Sequence, residues 1–112
     1  MIRASLEDAK TLLNDWRERG IWIGVGLLLR EDAREEHRFW AKVLDAREGE
    51  LVLAGEYALV KLPLESAAVF EYGETSEAPA DLRDSFSDFE FCFTIRSQRV
   101  MAFLFGGKPN PE

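Results

Sequence analysis

Gly20-Ile21-Trp22-Ile23-Gly24-Val25-Gly26-Leu27-Leu28-Leu29 is the stretch in which this chain changes its hydrophobic period, and that change decides the fold class. From Ile21 the period is two. Ile21, Ile23, Val25, Leu27 and Leu29 share one face of a strand, and Trp22, Gly24, Gly26, Leu28 and Arg30 share the other. The two glycines fall on the same face, which predicts that a bulky side chain or another backbone packs closely over them. A strand apolar on both faces belongs inside a sheet rather than at an exposed edge.

Upstream of Gly20 the period is helical. Leu6, Ala9, Leu12, Leu13 and Trp16 recur at spacings of three and four and form one apolar face, so a helix is expected from Leu6 to Arg19. Ser5 suits the N-cap, Glu7 and Asp8 suit the positive end of the helix dipole, and Arg17 and Arg19 suit its negative end. Gly20 supplies the stop.

Downstream, the charged run Glu31 to Glu36 reads as a loop and His37 to Ala46 as a second strand, with Phe39, Ala41 and Val43 facing one way and Trp40 and Leu44 the other. Arg47-Glu48-Gly49-Glu50 reads as a turn, Leu51 to Ala54 as a third strand, Gly55-Glu56 as a tight turn and Tyr57 to Leu62 as a fourth strand. Pro63, which has no N–H to give to a ladder, is expected to interrupt the pairing. Leu64 to Ser66 would turn before a fifth strand, Ala67 to Tyr72. Gly73 to Ser87 is acidic and not strand-like, with room for one helical turn after Pro79. Phe89, Phe91, Phe93 and Ile95 then alternate with Glu90, Cys92, Thr94 and Arg96, and a turn at Ser97-Gln98 leads into Val100 to Phe105, which predicts a hairpin.

One helix followed by six to seven short strands is an α+β plan: an N-terminal helix and a strongly curved, mostly antiparallel sheet or small barrel. Strand, tight turn, strand, Pro-containing turn and strand over Glu50 to Gly73 resembles the later strands of Sm-like and SH3-like barrels, and a helix before the first strand is similar to the Sm-like plan. The resemblance is architectural. Gly73 to Phe105 departs from it with an extra segment and hairpin, and the RNA-binding role of Sm-like proteins does not carry over to so acidic a chain. Residues 1–105 read as a single domain and 106–112 as a flexible tail.

The chain has 112 residues, 46% of them apolar, which is enough for one packed core. Its 14 basic and 21 acidic residues give a net charge of −7. Binding a phosphate backbone needs clustered Lys and Arg, so nucleic acid and anionic membrane are not expected as partners, whereas a basic protein is permitted. The one cysteine excludes an intrachain disulfide and fits a reducing compartment. No apolar run approaches the roughly 20 residues of a membrane span, and the first residues lack the apolar core of a signal peptide. The expected location is the cytoplasm.

Little in the sequence points to chemistry. His37 and Cys92 are the sole histidine and cysteine, too few for a zinc site, and Cys92 stands mid-strand between phenylalanines, where an inert buried thiol is expected. Gly24-Val25-Gly26 lacks the third glycine of a dinucleotide turn, and Gly106-Gly107-Lys108 lacks the remainder of a phosphate loop. We therefore expect no catalytic residues, no metal and no cofactor. Two groups of residues remain as candidates for binding. Glu74, Glu77, Asp81, Asp84 and Asp88 could dock a basic partner; Trp22, Trp40 and Phe103 could line an apolar pocket or an interface. The functional expectation is a non-catalytic, β-rich protein-interaction module that self-associates, with a dimer favoured. The alternatives are a small-molecule-binding barrel and an acidic inhibitor, of the immunity-protein or antitoxin kind, for a basic protein.

Overall fold

In the computed structural model, which describes residues 1–29, 32–47, 49–98 and 100–107, the helix forms where its local signals place it. Helix α1 spans Leu6–Arg19. Ser5 Oγ accepts the Asp8 N–H at 3.0 Å and the Asp8 carboxylate accepts the Ser5 N–H at 3.4 Å, so each satisfies a donor the helix start leaves unpaired. At the other end Gly20 takes a left-handed conformation (φ 62°) and donates its N–H to the Arg17 carbonyl at 3.1 Å. Ala9, Leu12, Leu13 and Trp16, the apolar face, are all buried.

The strands are β1 (Ile2–Ala4), β2 (Ile23–Leu29), β3 (Asp32–Arg47), β4 (Gly49–Gly55), β5 (Leu59–Leu64), β6 (Val69–Glu74), β7 (Phe91–Arg96) and β8 (Val100–Gly106). A 3-10 turn at Thr75–Glu77 and the short helix α2 (Ala80–Ser85) fill the acidic segment, with α2 starting directly after Pro79. The strands form one eight-stranded sheet in the order β1-β6-β7-β8-β2-β3-β4-β5, and every pairing is antiparallel.

Chain length shows that the sheet is curled. Strand β6 lies six ladder steps from β5, roughly 29 Å apart if the sheet were flat. Yet Leu64 is joined to Val69 by a connection that spans at most about 17 Å. The sheet bends to meet that constraint but does not close, because no ladder among the described residues joins β5 to β6 or β1. The concave side is packed with α1. Trp16, Leu13, Ile23, Val25, Leu51, Leu53, Leu64, Phe93 and Leu104 are all essentially inaccessible there. Trp16 donates its indole N–H to the Gly107 carbonyl at 2.9 Å and lies against Gly106, where a Cβ would stand 2.6 Å from its ring.

Four sequence expectations are corrected. The strand count is eight, because β1, three residues long, is too short to show a period and pairs with β6 through Ile2, Arg3 and Ala4. The run expected as a loop belongs from Asp32 onward to β3, whose backbone pairs with β2 despite side chains that disfavour strands. The pairing slips between Leu28 and Leu29, where β3 holds three extra residues. Pro63 lies within β5, opposite Glu50; β5 has β4 as its single ladder partner among the described residues, and an edge strand tolerates a missing N–H. Gly106, expected in the tail, is the last residue of β8 and pairs with Phe91. The rest of the expected tail, 108–112, lies outside the described residues, as do Glu31 of the expected loop and Glu48 of the expected turn.

Candidate functional site

The convex face of the sheet is built from rows of residues that the register brings side by side. One row runs Gly73, Cys92, Phe105, Gly24, Trp40 across β6, β7, β8, β2 and β3; the next runs Glu71, Thr94, Phe103, Gly26, Arg38. Gly24 and Gly26 leave a notch between Phe105 and Phe103 on one side and the β3 side chains on the other. Phe86 and Leu82 drop into that notch from the acidic segment. A Cβ on Gly26 would stand 2.6 Å from Leu82, and one on Gly24 would overlap the Phe86 ring. The close approach expected from the two glycines is thus made by this segment. Ala78, Leu82, Phe86, Cys92, Phe103 and Phe105 form a second apolar cluster on the convex side, with Phe89 packed against it.

The cover stops at Trp40. Its ring meets Phe86 edge-on at 5.6 Å and Phe89 at 5.4 Å, and Arg38, one row further in, hydrogen-bonds Ser85. Beyond Trp40 no helix or turn among the described residues covers the convex face. The β2–β3 ladder ends with Ile23 opposite Ala41; Trp22 precedes it, and the neighbouring Lys42 pairs with Ala54 on β4, which pairs with Leu59 on β5. Lys42 Nζ lies 5.1 Å from the centre of the Trp22 ring. Next to this row β3 carries a bulge: Val43 pairs with Leu53 and Asp45 with Val52, so Leu44 is the extra residue and projects to the same side as Lys42. Trp22 and Trp40 are each 48% exposed, Leu44 53% and Leu59 60%. Tyr57, 93% exposed, stands in the β4–β5 turn. Together these side chains offer on the order of 400 Å² of apolar surface, in the range of the largest patch a monomer usually shows.

The structure therefore brings Trp22 and Trp40 together and separates Phe103 from them. Phe103 is 3% exposed beneath the acidic segment, two rows from Trp22. Leu44 and Leu59 complete the patch. Period two already sets Leu44 on the face of Trp40, whereas Leu59 joins them only through cross-strand pairing. Of the acidic candidates, Glu77 is occupied within the fold: it accepts the Glu74 N–H at 2.8 Å and the amino group of Met1 at 3.0 Å. The Glu74 N–H first, and the amino group second, hold its carboxyl below the ordinary value. Asp81, Asp84 and Asp88 are exposed, and no cation pairs with them among the described residues. Nor do any three His, Cys, Asp or Glu side chains among the described residues converge as metal ligands.

His37 and Cys92 do not form a thiol–imidazole pair. His37 registers with Leu27, which registers with Ala102 on the concave side, whereas Cys92 lies in the convex row with Phe105. Burial pushes the Cys92 thiol up to about 12. No helix among the described residues is long and apolar enough to cross a membrane. In comparisons with protein families, curated proteins and solved structures, none matches the chain.

Proposed function

We propose that the chain is a non-catalytic interaction module whose working surface is the half of the convex sheet face beyond Trp40. The observation that carries this reading is the row Lys42, Ala54, Leu59 with Trp22 beside it, flanked by Trp40 and Leu44: a contiguous apolar surface beside a segment that covers the rest of the same face. Leu82 and Phe86 cover Gly24 and Gly26, and no segment among the described residues does the same for Trp22. Aromatic residues at the centre of a patch with charges around it are the usual composition of a protein–protein interface. Two observations support this reading over a ligand-binding barrel: the concave side is filled by α1 and the main cluster, and Trp22, Trp40 and Phe103, expected to line a pocket, stand on the convex side instead. The acidic-inhibitor alternative draws on Asp81, Asp84 and Asp88, which stand exposed; Asp84 and Asp88 adjoin Ser85 and Phe89, the residues that meet Arg38 and Trp40.

The test is site-specific photocrosslinking in cells with a benzophenone side chain at Leu59, and with the same group at Glu18 on α1 as a control. Adducts at Leu59 that are missing at Glu18 support the reading. Equal labelling at both positions, or none at either, overturns it.

A further inference from the structure

The segment between β6 and β7 is anchored at its base. The Thr75 N–H donates to the Glu90 carbonyl at 3.0 Å, closing the loop where the two strands part. Glu77 ties the 3-10 turn to Glu74 and Met1. From Ala78 to Phe89 the bonding turns inward. The N–H groups of Ala78, Arg83, Phe86 and Phe89 donate to the carbonyls of Thr75, Pro79, Leu82 and Phe86, all at 2.9–3.1 Å. The side chains of Arg83 and Ser85 donate to the Ser76 and Asp81 carbonyls of the same stretch. No ladder among the described residues includes this stretch. What seats it on the sheet is mostly apolar. Leu82 and Phe86 fill the notch over Gly26 and Gly24, Phe86 stacks on Phe105 at 4.9 Å, and Phe86 and Phe89 meet Trp40. Arg38 adds a hydrogen bond to Ser85 at the margin.

The stretch can therefore leave the sheet with its own hydrogen bonds intact. Lifting it costs the contacts of the second cluster and takes nothing from the β6–β7 ladder, which runs to Glu74 opposite Phe91. The main cluster, with α1, lies on the other side of the sheet and keeps its packing. Contiguous units with few ties to the rest of a fold are the ones that open below the free energy of global unfolding. We infer that Ala78–Phe89 is a lid, hinged at Thr75 and Glu90, which opens as a unit while the eight-stranded sheet stays folded. Opening bares Cys92, Phe103 and Phe105, each at most 3% exposed under the closed lid. The row Cys92, Phe105, Gly24, Trp40 then becomes one surface, continuous with the apolar face beyond Trp40. The lid belongs to the fold and does not depend on what binds beside Trp22 and Leu59.

Cys92 reports the opening, because reagent reaches its thiol when the lid lifts. The test is the rate at which an excess of an aromatic disulfide reagent modifies Cys92 in native buffer and at low urea, set against global unfolding followed by circular dichroism. The wild-type rate, divided by that of the unfolded chain, is expected to exceed the global unfolding constant at least about tenfold. Its rise with urea is expected to have less than about half the global slope, since the lid exposes a small part of the surface that unfolding exposes. Phe86→Leu, which loosens the lid, is expected to speed modification about tenfold. Ile23→Val trims the main cluster and is expected to raise the global unfolding constant about two- to tenfold. It should leave the Cys92 rate within about twofold, because the closed and lid-open forms both contain that cluster. A rate equal to the global constant at every urea concentration, or one that rises with Ile23→Val as global unfolding does, overturns the lid: Cys92 is then uncovered when the sheet itself unfolds. These rates are read without a partner, so the crosslinking at Leu59 decides the working surface independently.

Discussion

Cys92 is chemically silent in this fold because of where one strand position falls. It lies in the convex row beneath the acidic segment, wholly buried, and its thiol is pushed up to about 12 by burial first and by the Glu77 carboxylate second. At pH 8 that leaves about one thiol in ten thousand ionised, and the thiolate is the reactive form. Modification by a disulfide reagent is expected to require opening of the second cluster. The native rate should fall more than about a thousandfold below that of the unfolded chain and rise steeply with urea. Labelling within seconds in native buffer would contradict this burial. Gly24 presents the converse case, a position defined by what it lacks. Any Cβ there enters the Phe86 ring, so Gly24→Ala is expected to destabilise by about 1–3 kcal/mol through overpacking. Phe86→Leu should recover part of that loss in a double-mutant cycle, because the space contested is the same. If the two changes add independently in urea titrations, the notch is not what holds the segment down.

Among elements, α1 was legible in the sequence from cap to cap, because Ser5, the Leu6–Trp16 spacing and Gly20 act on their own neighbours and need no partner strand. Strand β3 was legible only in its second half. Its first residues have little strand propensity of their own, and pairing with β2 sets their conformation. The same reason explains what was readable of the site: Trp22 and Trp40 could be singled out as surplus aromatics and Leu44 set on the face of Trp40 by period two, but their union with Leu59 depends on two ladders. The 3-10 turn shows how a local device ties elements together. Glu77 accepts the Glu74 N–H and the Met1 amino group, bridging β6 to the start of the chain. Its carboxyl titrates below the ordinary 4.5, so the folded state takes up that proton less readily than the unfolded chain. The stabilisation is accordingly complete above the ordinary value and is lost as pH falls through the lower, folded one. Urea titrations between about pH 6 and pH 3 are expected to show a steeper loss for the wild type than for Glu77→Gln. Parallel curves would show that the bridge contributes nothing to acid stability.

For the whole molecule, stability is distributed by the order of the strands. The middle of the sheet, β7-β8-β2-β3, is covered on both sides: α1 and the main cluster lie on the concave side, and the Leu82–Phe86 cover lies on the convex side over much of its length. The ends are different. At one end β1 is three residues long and Ile2 is 60% exposed; at the other β5 contains Pro63 and exposes Leu59. Among the described residues no ladder joins the two ends, and the chain links them through the short Glu65–Ala68 connection, so the end ladders can open with few backbone hydrogen bonds lost from the middle. Amide exchange followed by mass spectrometry is expected to rank β7, β8 and β2 as the slowest elements, exchanging only through global unfolding. Strands β1 and β5 should exchange orders of magnitude faster, through local opening. A partner bound on the convex face would change this order at one place. It would slow the β4–β5 hairpin as that partner binds and leave β1, on the far edge, unaffected. Equal slowing of both edges would indicate closure of the sheet or general stabilisation, whereas protection confined to β4–β5 ties the working surface to the strands that carry Leu59 and Lys61.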